Sequence, residues 1–430
     1  MGRAAAAFRA AHPHCWPASR TPHRRWLTWA GQMSGPLVAG SGSRRAFSAV
    51  PTMTDMPTTD ATFRYRTFDW EASCGERHEY EYIVAQQPAG GSTARSALLA
   101  VEEGLPRPPS GWSVVLLPSV SLFCSGKEEM RPLAAALSQR GHRCYVLEWP
   151  GWTSDVQVNF ALARCKLEDL SSEYEDFWCQ ALEHVARSEA AEEAAAPPRL
   201  CLVAAGHSAA YALKALRALQ AWRPPDAAEG SGASRVFSSL VMIAPTWQTT
   251  PGGMAAYLSA PRASRWLGSW LNSDSRFGRW FRARHSSKSR LRRHFAHRVP
   301  SGQEADRLLA IAMWLFQRPR PYLQTDAAVL YGLLDPPGAA DVREMADELQ
   351  EASAELRRGS LLLLPGRAPG EAAGAAGDAL AELLASSEAA AVECSRLSAP
   401  SPLPHEAAPT EVLLALDGWL SRGAAPGRGS

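Results

Sequence analysis

"VAAGHSAAYAL" (203–213) joins an apolar run to a helix-forming run through the pentapeptide "GHSAA" (206–210). Small residues two positions before and two positions after a central serine let a strand turn sharply into a helix, because a larger Cβ would collide there. Gly206 and Ala210 meet this requirement. The stretch therefore predicts a strand, a tight turn and a helix, with Ser208 on the turn as a candidate nucleophile.

The rest of the chain supplies the strands and helices that such a turn needs. Continuous apolar runs are typical of strands buried on both faces of a parallel sheet, and they lie at "WSVVLLP" (112–118), "RLCLVAA" (199–205), "FSSLVMIAP" (237–245) and "SLLLLPG" (360–366). Amphipathic segments with helical spacing alternate with these runs, and they lie at 127–141, 167–188, 343–359 and 410–421. This alternation predicts a mostly parallel central sheet with helices on both faces.

Other segments predict a hairpin at the start of the fold and several surface loops. Two aromatic and β-branched stretches (62–70 and 78–86), separated by Gly75, suggest an opening hairpin. Three segments rich in Ala, Gly, Glu and Pro predict surface loops with little structure, and they span 189–198, 224–234 and 368–379.

The composition favours a globular protein over a membrane protein or a metal-binding protein. The 430 residues are 46% hydrophobic and 20% charged, which is typical of a soluble globular protein with some low-complexity sequence. No uninterrupted apolar run approaches the roughly 18 residues of a membrane span, so we expect no integral membrane protein. The eight cysteines have neither a C-x-x-C pair nor a spacing with histidines that suits zinc. We interpret them as buried reduced thiols, and the sequence suggests no metal or organic cofactor.

The first 54 residues differ from everything that follows. They contain seven Arg, no Lys and no carboxylate, so the rest of the chain is net acidic although the whole carries +2. A leader rich in Ala, Ser and Arg has the composition of an organellar transit peptide, and a disordered basic tail is the alternative. We expect this leader to cover about 1–60 and to direct the chain to the chloroplast, with the mitochondrion as the alternative.

A basic, Trp-rich region interrupts the alternation of strands and helices. Residues 262–298 contain eleven Arg or Lys and one acid, Asp274, with interleaved Trp and Phe. Such a region can lie on an anionic membrane surface or receive an acidic substrate. A pair of packed helices with a solvated basic face is the structural alternative. No nucleic-acid recognition motif accompanies the charge, so we expect no nucleic-acid partner.

These motifs together resemble the α/β-hydrolase superfamily over about 65–420. "VVLLPSVS" (114–121) matches the strand and oxyanion loop of that superfamily, "VLEWPGWTSD" (146–155) matches its strand and Pro-Gly turn, and the pentapeptide at 206–210 matches its nucleophile elbow. The combination with "KEEMRPLA" and "IAPTW" is similar to a plant and cyanobacterial branch, which implies a plastid location. The resemblance implies a hydrolase core at 61–245 and 346–422, a helical cap insertion at 246–345 and a disordered tail at 423–430.

The resemblance also assigns roles to residues. It implies that Ser208 attacks a carbonyl, while the backbone N–H groups of Val120 and Ala209 stabilise the oxyanion. His405 is the only histidine after the predicted last strand, so it is either the base, supplied from a shifted loop, or a non-catalytic second histidine.

Two positions depart from the superfamily pattern. Pro402 stands where a widespread form of the superfamily has its His, and Pro369 stands where the acid is usual. Glu371 is then the candidate acid, with Asp378 as a nearby substitute. His207, beside the serine, is expected to be a structural residue of the turn.

Two functional hypotheses follow. The first is a serine hydrolase, esterase or lipase in type, that acts on an ester or other acyl bond of a hydrophobic or lipid-like small molecule in an organelle. The second is a non-catalytic protein of the same fold that binds a ligand, lipid or partner. An intact Ser208 favours the first hypothesis, whereas Pro369 and Pro402 favour the second. A different chemistry on the same fold stays open, because a fold does not determine a reaction.

Overall fold

The fold was analysed in a computed structural model. It describes residues 62–73, 75–86, 112–119, 126–150, 170–192, 199–221, 237–246, 287–289, 291–293, 306, 309–310, 342–366, 376–386, 391–399 and 404–422. The predicted leader, nearly all of the predicted cap and the C-terminal tail lie outside these residues. The described strands and helices belong to one compact unit, Thr58–Ser430.

The chain opens with the predicted hairpin. Strands β1 (Thr62–Glu71) and β2 (Arg77–Gln86) pair antiparallel along their whole length. Aromatic side chains at alternate positions point to one face and are buried, as Trp70 and Tyr80 are. The turn includes Gly75 at a φ of 82°, which glycine adopts without a steric penalty.

Six further strands complete one eight-stranded sheet in the order β1-β2-β4-β3-β5-β6-β7-β8. They are β3 (Ser113–Leu117), β4 (Arg143–Val146), β5 (Leu200–Ala205), β6 (Phe237–Ile243), β7 (Ser360–Leu364) and β8 (Val392–Arg396). β2 runs antiparallel to both of its neighbours, whereas β4, β3, β5, β6, β7 and β8 are parallel. The apolar runs form strands that are buried at every position, as the sequence predicts.

Seven helices of the described chain accompany the sheet. They are α1 (Lys127–Gln139), α2 (Leu170–Glu192), α3 (Ser208–Ala221), α4 (Val342–Glu355), α5 (Ala376–Ala385), α6 (Pro404–Ala407) and α7 (Pro409–Arg422). One buried core packs α2, α3, α4 and α5 against one face of the sheet. A second core packs α1 and α7 against the other face. The predicted mostly parallel sheet with helices on both faces is therefore confirmed.

Two predicted loops are partly helical. The segment predicted as a loop at 189–198 begins inside α2, and the one predicted at 368–379 ends inside α5. Ala and Glu favour helix, so an Ala- and Glu-rich composition does not exclude it. Glu189 is fully buried, and its carboxylate accepts hydrogen bonds from Ser113 Oγ at 2.6 Å, from the Tyr145 hydroxyl and from Arg143 Nη1 at 3.1 Å.

Four of the eight cysteines lie in the described residues, and one of them, Cys179, is half-buried. Cys144 and Cys201 are buried free thiols, as expected, but Cys394 on β8 is exposed, so the expectation of buried thiols is wrong there. β8 lies at the edge of the sheet, which leaves its residues less covered than those of β3 or β5. Among the described helices, none is long and apolar enough to cross a membrane.

Candidate active site

The turn after β5 places Ser208 at the first residue of α3. Gly206 occupies this turn at a φ of 57°, and a Cβ at that position would lie 2.9 Å from Ser119 Cβ. Glycine is therefore required both by the left-handed backbone and by the close approach of the segment after β3. Because β3, β5 and β6 are parallel, Ser119, Ser208 and Thr246 all lie at the carboxyl edge of the sheet.

Ser208 is fully buried and its hydroxyl already has partners. Its Oγ donates to the carbonyl oxygen of Ala205 at 2.7 Å, with the carbonyl oxygen of Leu117 at 3.2 Å. A nucleophile elbow usually holds its serine in a strained backbone conformation. In the described chain the one non-glycine residue with a positive φ is Ala244, so Ser208 is not strained in that way.

The predicted oxyanion donor is also engaged. The N–H of Ala209 donates to the carbonyl oxygen of Gly206 at 3.2 Å, which closes the turn. Val120, the other predicted donor, lies outside the described residues. Ala210 is buried directly behind the turn, consistent with the small residue that the turn needs.

His207 joins the turn to the segment after β6. Its Nδ1 lies 3.1 Å from Thr246 Oγ1, and the N–H of Thr246 donates to the carbonyl oxygen of Gly206 at 3.2 Å. These contacts connect the turn after β5 to the segment after β6 at the carboxyl edge of the sheet. They are the contacts expected of a structural residue of the turn.

His405 lies on α6 and is paired with a carboxylate. Its Nε2 is 2.6 Å from Glu129 Oε1 on α1, and the two side chains are 1% and 0% exposed. The same carboxylate oxygen accepts hydrogen bonds from Ser119, from the N–H at 3.0 Å and from Oγ at 2.7 Å. A buried Ser119–Glu129–His405 cluster therefore lies beside Gly206 and the turn that carries Ser208.

One nitrogen of the imidazole remains available for chemistry. His405 Nδ1 and Glu129 Oε2 are buried and have no hydrogen-bond partner among the described residues. A carboxylate that accepts a hydrogen bond from one nitrogen of a neutral imidazole fixes the tautomer, so the lone pair lies on the other ring nitrogen. No hydrogen bond joins His405 to Ser208 within the described part of the chain, although the cluster that contains His405 lies at the same edge of the sheet as Ser208.

Of the two candidate acids after β7, Asp378 is the one that lies in the described residues. Glu371 lies outside the described chain, as do Pro369 and Pro402. Asp378 on α5 pairs with Arg396 on β8. No group of three or more His, Cys, Asp or Glu side chains that could hold a metal is found in the described ranges.

Sequence reasoning did not identify Glu129, although a signal was present. In α1 the apolar residues Met130, Leu133 and Leu137 are buried, and Glu129 lies four positions before Leu133 on the same face. A carboxylate on the apolar face of a helix needs a partner, because an unpaired buried charge is costly. That partner is 276 residues away in sequence, and its identity cannot be inferred from spacing.

The strand order, the single antiparallel β2 among parallel strands and the glycine turn from β5 into α3 define the α/β-hydrolase fold. The sequence matches no protein-family model and no curated protein.

Solved structures to which the chain is similar include a hydrolase from Oleispira antarctica (13% identity, TM-score 0.42, 73% of this chain and 94% of that chain covered). A loop variant of a haloalkane dehalogenase from Bradyrhizobium elkanii is similar at 13% identity and TM-score 0.46, covering 85% of this chain and 98% of that chain. An esterase from Exiguobacterium antarcticum is similar at 12% identity and TM-score 0.44, covering 82% and 98%.

Proposed function

We propose that the protein is a serine hydrolase that acts on an ester or other acyl bond, with Ser208 as its nucleophile. The observation that carries this proposal is the position of Ser208, at the start of α3 directly after the carboxyl end of β5. In open parallel sheets ligands bind outside the carboxyl ends of the strands, and a serine on this turn is the usual nucleophile of the fold.

His405 is the proposed base, and Glu129 is the carboxylate that orients it. Ser208 Oγ bonds to the acyl carbon and its proton passes to His405 Nδ1. The bond between the acyl carbon and the alcohol oxygen then breaks, and the protonated imidazole gives that proton to the leaving alcohol, which leaves an acyl group on Ser208. Water, deprotonated by the same imidazole, releases the acid and restores Ser208. Glu129 stabilises the imidazolium from the other ring nitrogen, at the 2.6 Å contact.

The reaction requires a local rearrangement at the turn. Ser208 Oγ must leave the carbonyl oxygens of Ala205 and Leu117 to reach His405, and the N–H of Ala209 must leave Gly206 to join Val120 as an oxyanion donor. Catalytic hydrogen bonds are often absent from a free enzyme and form only with substrate. Substrate binding is the proposed cause of this change.

The substrate class and the location extend the same proposal. A hydrophobic or lipid-like acyl substrate is supported by the Trp- and Arg-rich segment 262–298. The leader composition supports a plastid location, with the mitochondrion as the alternative, as does the resemblance to a plant and cyanobacterial branch. A fluorescent protein fused behind residues 1–61 tests the location by co-localisation with chlorophyll or a mitochondrial dye.

A non-catalytic role is the second candidate, and one observation favours it. Ser208 is fully buried, and its hydroxyl is satisfied by two backbone carbonyls. A serine held in this way also serves simply as a small residue that the turn tolerates. The protein would then bind its ligand at the same edge of the sheet without turnover.

A fluorophosphonate probe discriminates between the two candidates. The full-length chain should label and should hydrolyse p-nitrophenyl acyl esters, and Ser208→Ala should abolish both. Ser138→Ala is a matched control, because Ser138 is also a buried serine whose Oγ donates to the carbonyl oxygen three residues earlier, at 2.9 Å. The control should label like the wild type.

Two further variants test the base and its partner. His405→Ala should reduce turnover about as much as Ser208→Ala, because members of a catalytic unit act together. Glu129→Gln should lower kcat, because the imidazolium that forms during the reaction loses its counter-charge. If a folded wild-type protein neither labels nor turns over any acyl ester, the non-catalytic candidate replaces the hydrolase.

A further inference from the structure

A cavity of about 450 Å³ lies at the edge of the sheet opposite to Ser208. Its wall includes residues at or just before the starts of parallel strands: Trp112 before β3, Arg199 before β5, Ser238 at the start of β6 and Arg358 before β7. Ser208 follows the carboxyl end of β5, so this cavity is separate from the candidate active site.

The cavity is strongly cationic. Four arginines line it, namely Arg199, Arg357, Arg358 and Arg422, against one carboxylate, Glu393. That carboxylate pairs with Arg422 at 2.7 Å. Cationic side chains therefore outnumber anionic ones in the lining, which favours an anion as the occupant.

One of these arginines is held in place by an aromatic ring. The Arg358 guanidinium lies 4.4 Å from the centre of the Trp419 ring, and Arg422 lies 5.8 Å from the same ring. Trp419 Nε1 donates to Ser239 Oγ at 2.8 Å, and the N–H of Arg358 donates to the carbonyl oxygen of Ser238 at 3.0 Å. Such fixed guanidinium groups lose little entropy when they bind an anion.

Two buried donors in the wall have no acceptor. Ser238 is 3% exposed, and neither its Oγ nor the Nε of Arg358 has a hydrogen-bond partner among the described residues. A buried donor without a partner is destabilising, because it has lost its hydrogen bond to water. Burial and the neighbouring Arg422 also lower the pKa of Arg358. The two unpartnered donors favour an occupant that carries acceptor oxygens.

We propose that this cavity is a binding site for a phosphate monoester. Guanidinium groups bind phosphate oxygens through paired, charge-assisted hydrogen bonds, and the Ser238 hydroxyl supplies a further donor. The indoles of Trp112 and Trp419 offer apolar walls to the organic part of the ligand. The cavity volume is within the range of small-molecule sites. This site does not depend on the proposed hydrolase activity.

Calorimetric titration of the full chain with glycerol 3-phosphate tests the proposal. We expect saturable 1:1 binding, weakened on the order of tenfold or more by Arg358→Gln and several-fold by Ser238→Ala. Arg187→Gln is the control, because Arg187 is an exposed arginine of α2 that pairs with Glu183. The control and Ser208→Ala should bind like the wild type, so failure of the hydrolase proposal and failure of this one are distinguishable.

Two further measurements show where the ligand binds and whether its phosphate belongs to a soluble molecule or to a lipid. Glycerol 3-phosphate should protect Arg358 from phenylglyoxal, as read by peptide mass spectrometry, and this remains measurable if Arg358→Gln does not fold. Vesicles that contain phosphatidate carry the same phosphate monoester on a lipid. If Ser238→Ala weakens the binding of glycerol 3-phosphate but not the binding of the vesicles, the occupant is a soluble phosphate monoester. If Ser238→Ala weakens the binding of both, the occupant is a lipid headgroup. Absence of saturable binding, or binding unchanged in Arg358→Gln and Ser238→Ala, overturns the proposal.

Discussion

Glu129 and His405 illustrate what single residues contribute to this protein. Each is a polar group inside an apolar core, and the pairing of the two side chains offsets the cost of burying them. Ser119 adds two further donors to the same carboxylate oxygen, which fixes the segment after β3 beside Gly206. Two distant parts of the sequence, the segment from Ser119 to Glu129 and the segment around His405, thus meet at one carboxylate. The site therefore depends on side chains that no local motif connects.

Gly206 and Gly418 should respond oppositely to the same substitution. Gly206→Ala should destabilise the protein by about 1–3 kcal/mol, because the φ of 57° and the 2.9 Å approach of Ser119 Cβ both oppose a side chain. Gly418 lies inside α7, and no atom lies within 4 Å of the position that an added Cβ would take there. Gly418→Ala should therefore stabilise by about 0.5–1 kcal/mol, through helix propensity.

Urea denaturation followed by circular dichroism gives both free energies of unfolding. Because the two variants add the same methyl group, the comparison isolates backbone conformation and close contact from hydrophobic burial. Equal effects of the two variants would contradict the geometry of the turn.

The buried thiols should be unreactive in the native protein. Burial raises the pKa of Cys201 to about 12 and raises the pKa of Cys144 as well, where the nearby Cys201 adds to the effect. The thiolate is the reactive form, so a raised pKa leaves little of it at pH 8. Iodoacetamide should modify Cys394, which is exposed, and should reach Cys144 and Cys201 only after unfolding.

Peptide mass spectrometry reads each position separately. Addition of urea supplies the internal control, because all three thiols should then react at similar rates. Native labelling of Cys201 as fast as that of Cys394 would show that β5 is not buried as described.

At the scale of elements, the local sequence pattern predicts a strand or a helix correctly wherever one periodicity dominates the segment. The runs that became β3, β5, β6 and β7 are apolar at nearly every position, because both faces of these strands are covered by helices. The turn at 206–210 followed from the size of its residues. The end of α2 did not follow, because Ala and Glu occur in loops and helices alike, and the helix is set there by tertiary contacts of Glu189.

The candidate site was predicted only in part for the same reason. Ser208 is marked by its immediate neighbours, and His405 was found because it is the one histidine after the last strand. The pattern of the superfamily predicts the partner of His405 after β7, at Glu371. Glu129 precedes it by 276 positions on a helix, and only the packing of α1 against α6 shows the two together.

Glu189 should stabilise the junction between α2 and the start of the sheet. Its carboxylate accepts hydrogen bonds from residues on β3 and β4, namely Ser113, Tyr145 and Arg143. Glu189→Ala should cost about 3–5 kcal/mol, because it removes the acceptor of two buried hydroxyl groups and a counter-charge of the Arg143 guanidinium. Thermal and urea unfolding measure the loss.

Glu183→Ala provides the comparison for that variant. Glu183 lies on the same helix and pairs with the exposed Arg187 at 2.5 Å, and exposed pairs contribute at most about 1 kcal/mol. A loss at Glu189 no larger than that at Glu183 would contradict the buried network.

At the scale of the whole molecule, charge is distributed unevenly along the chain. The leader and the segment 262–298 are basic, whereas the chain after the leader is net acidic. Uneven charge of this kind governs association with charged partners more than it governs the fold. Among the described residues of the basic segment, Lys288 is exposed.

We expect the basic segment to bind anionic membrane surfaces. Liposomes with an anionic lipid should sediment with the protein at low ionic strength, and added salt should release it, because the Debye length falls to about 10 Å at 0.1 M. Reversing the charges of Arg282, Arg284, Lys288 and Arg290 together should abolish the association, since each basic residue near the surface contributes about 1 kcal/mol. Arg187→Glu with Arg217→Glu, two exposed arginines outside the segment, should leave most of it intact. Equal binding to neutral and anionic vesicles would assign the association to apolar insertion of the Trp and Phe side chains rather than to charge.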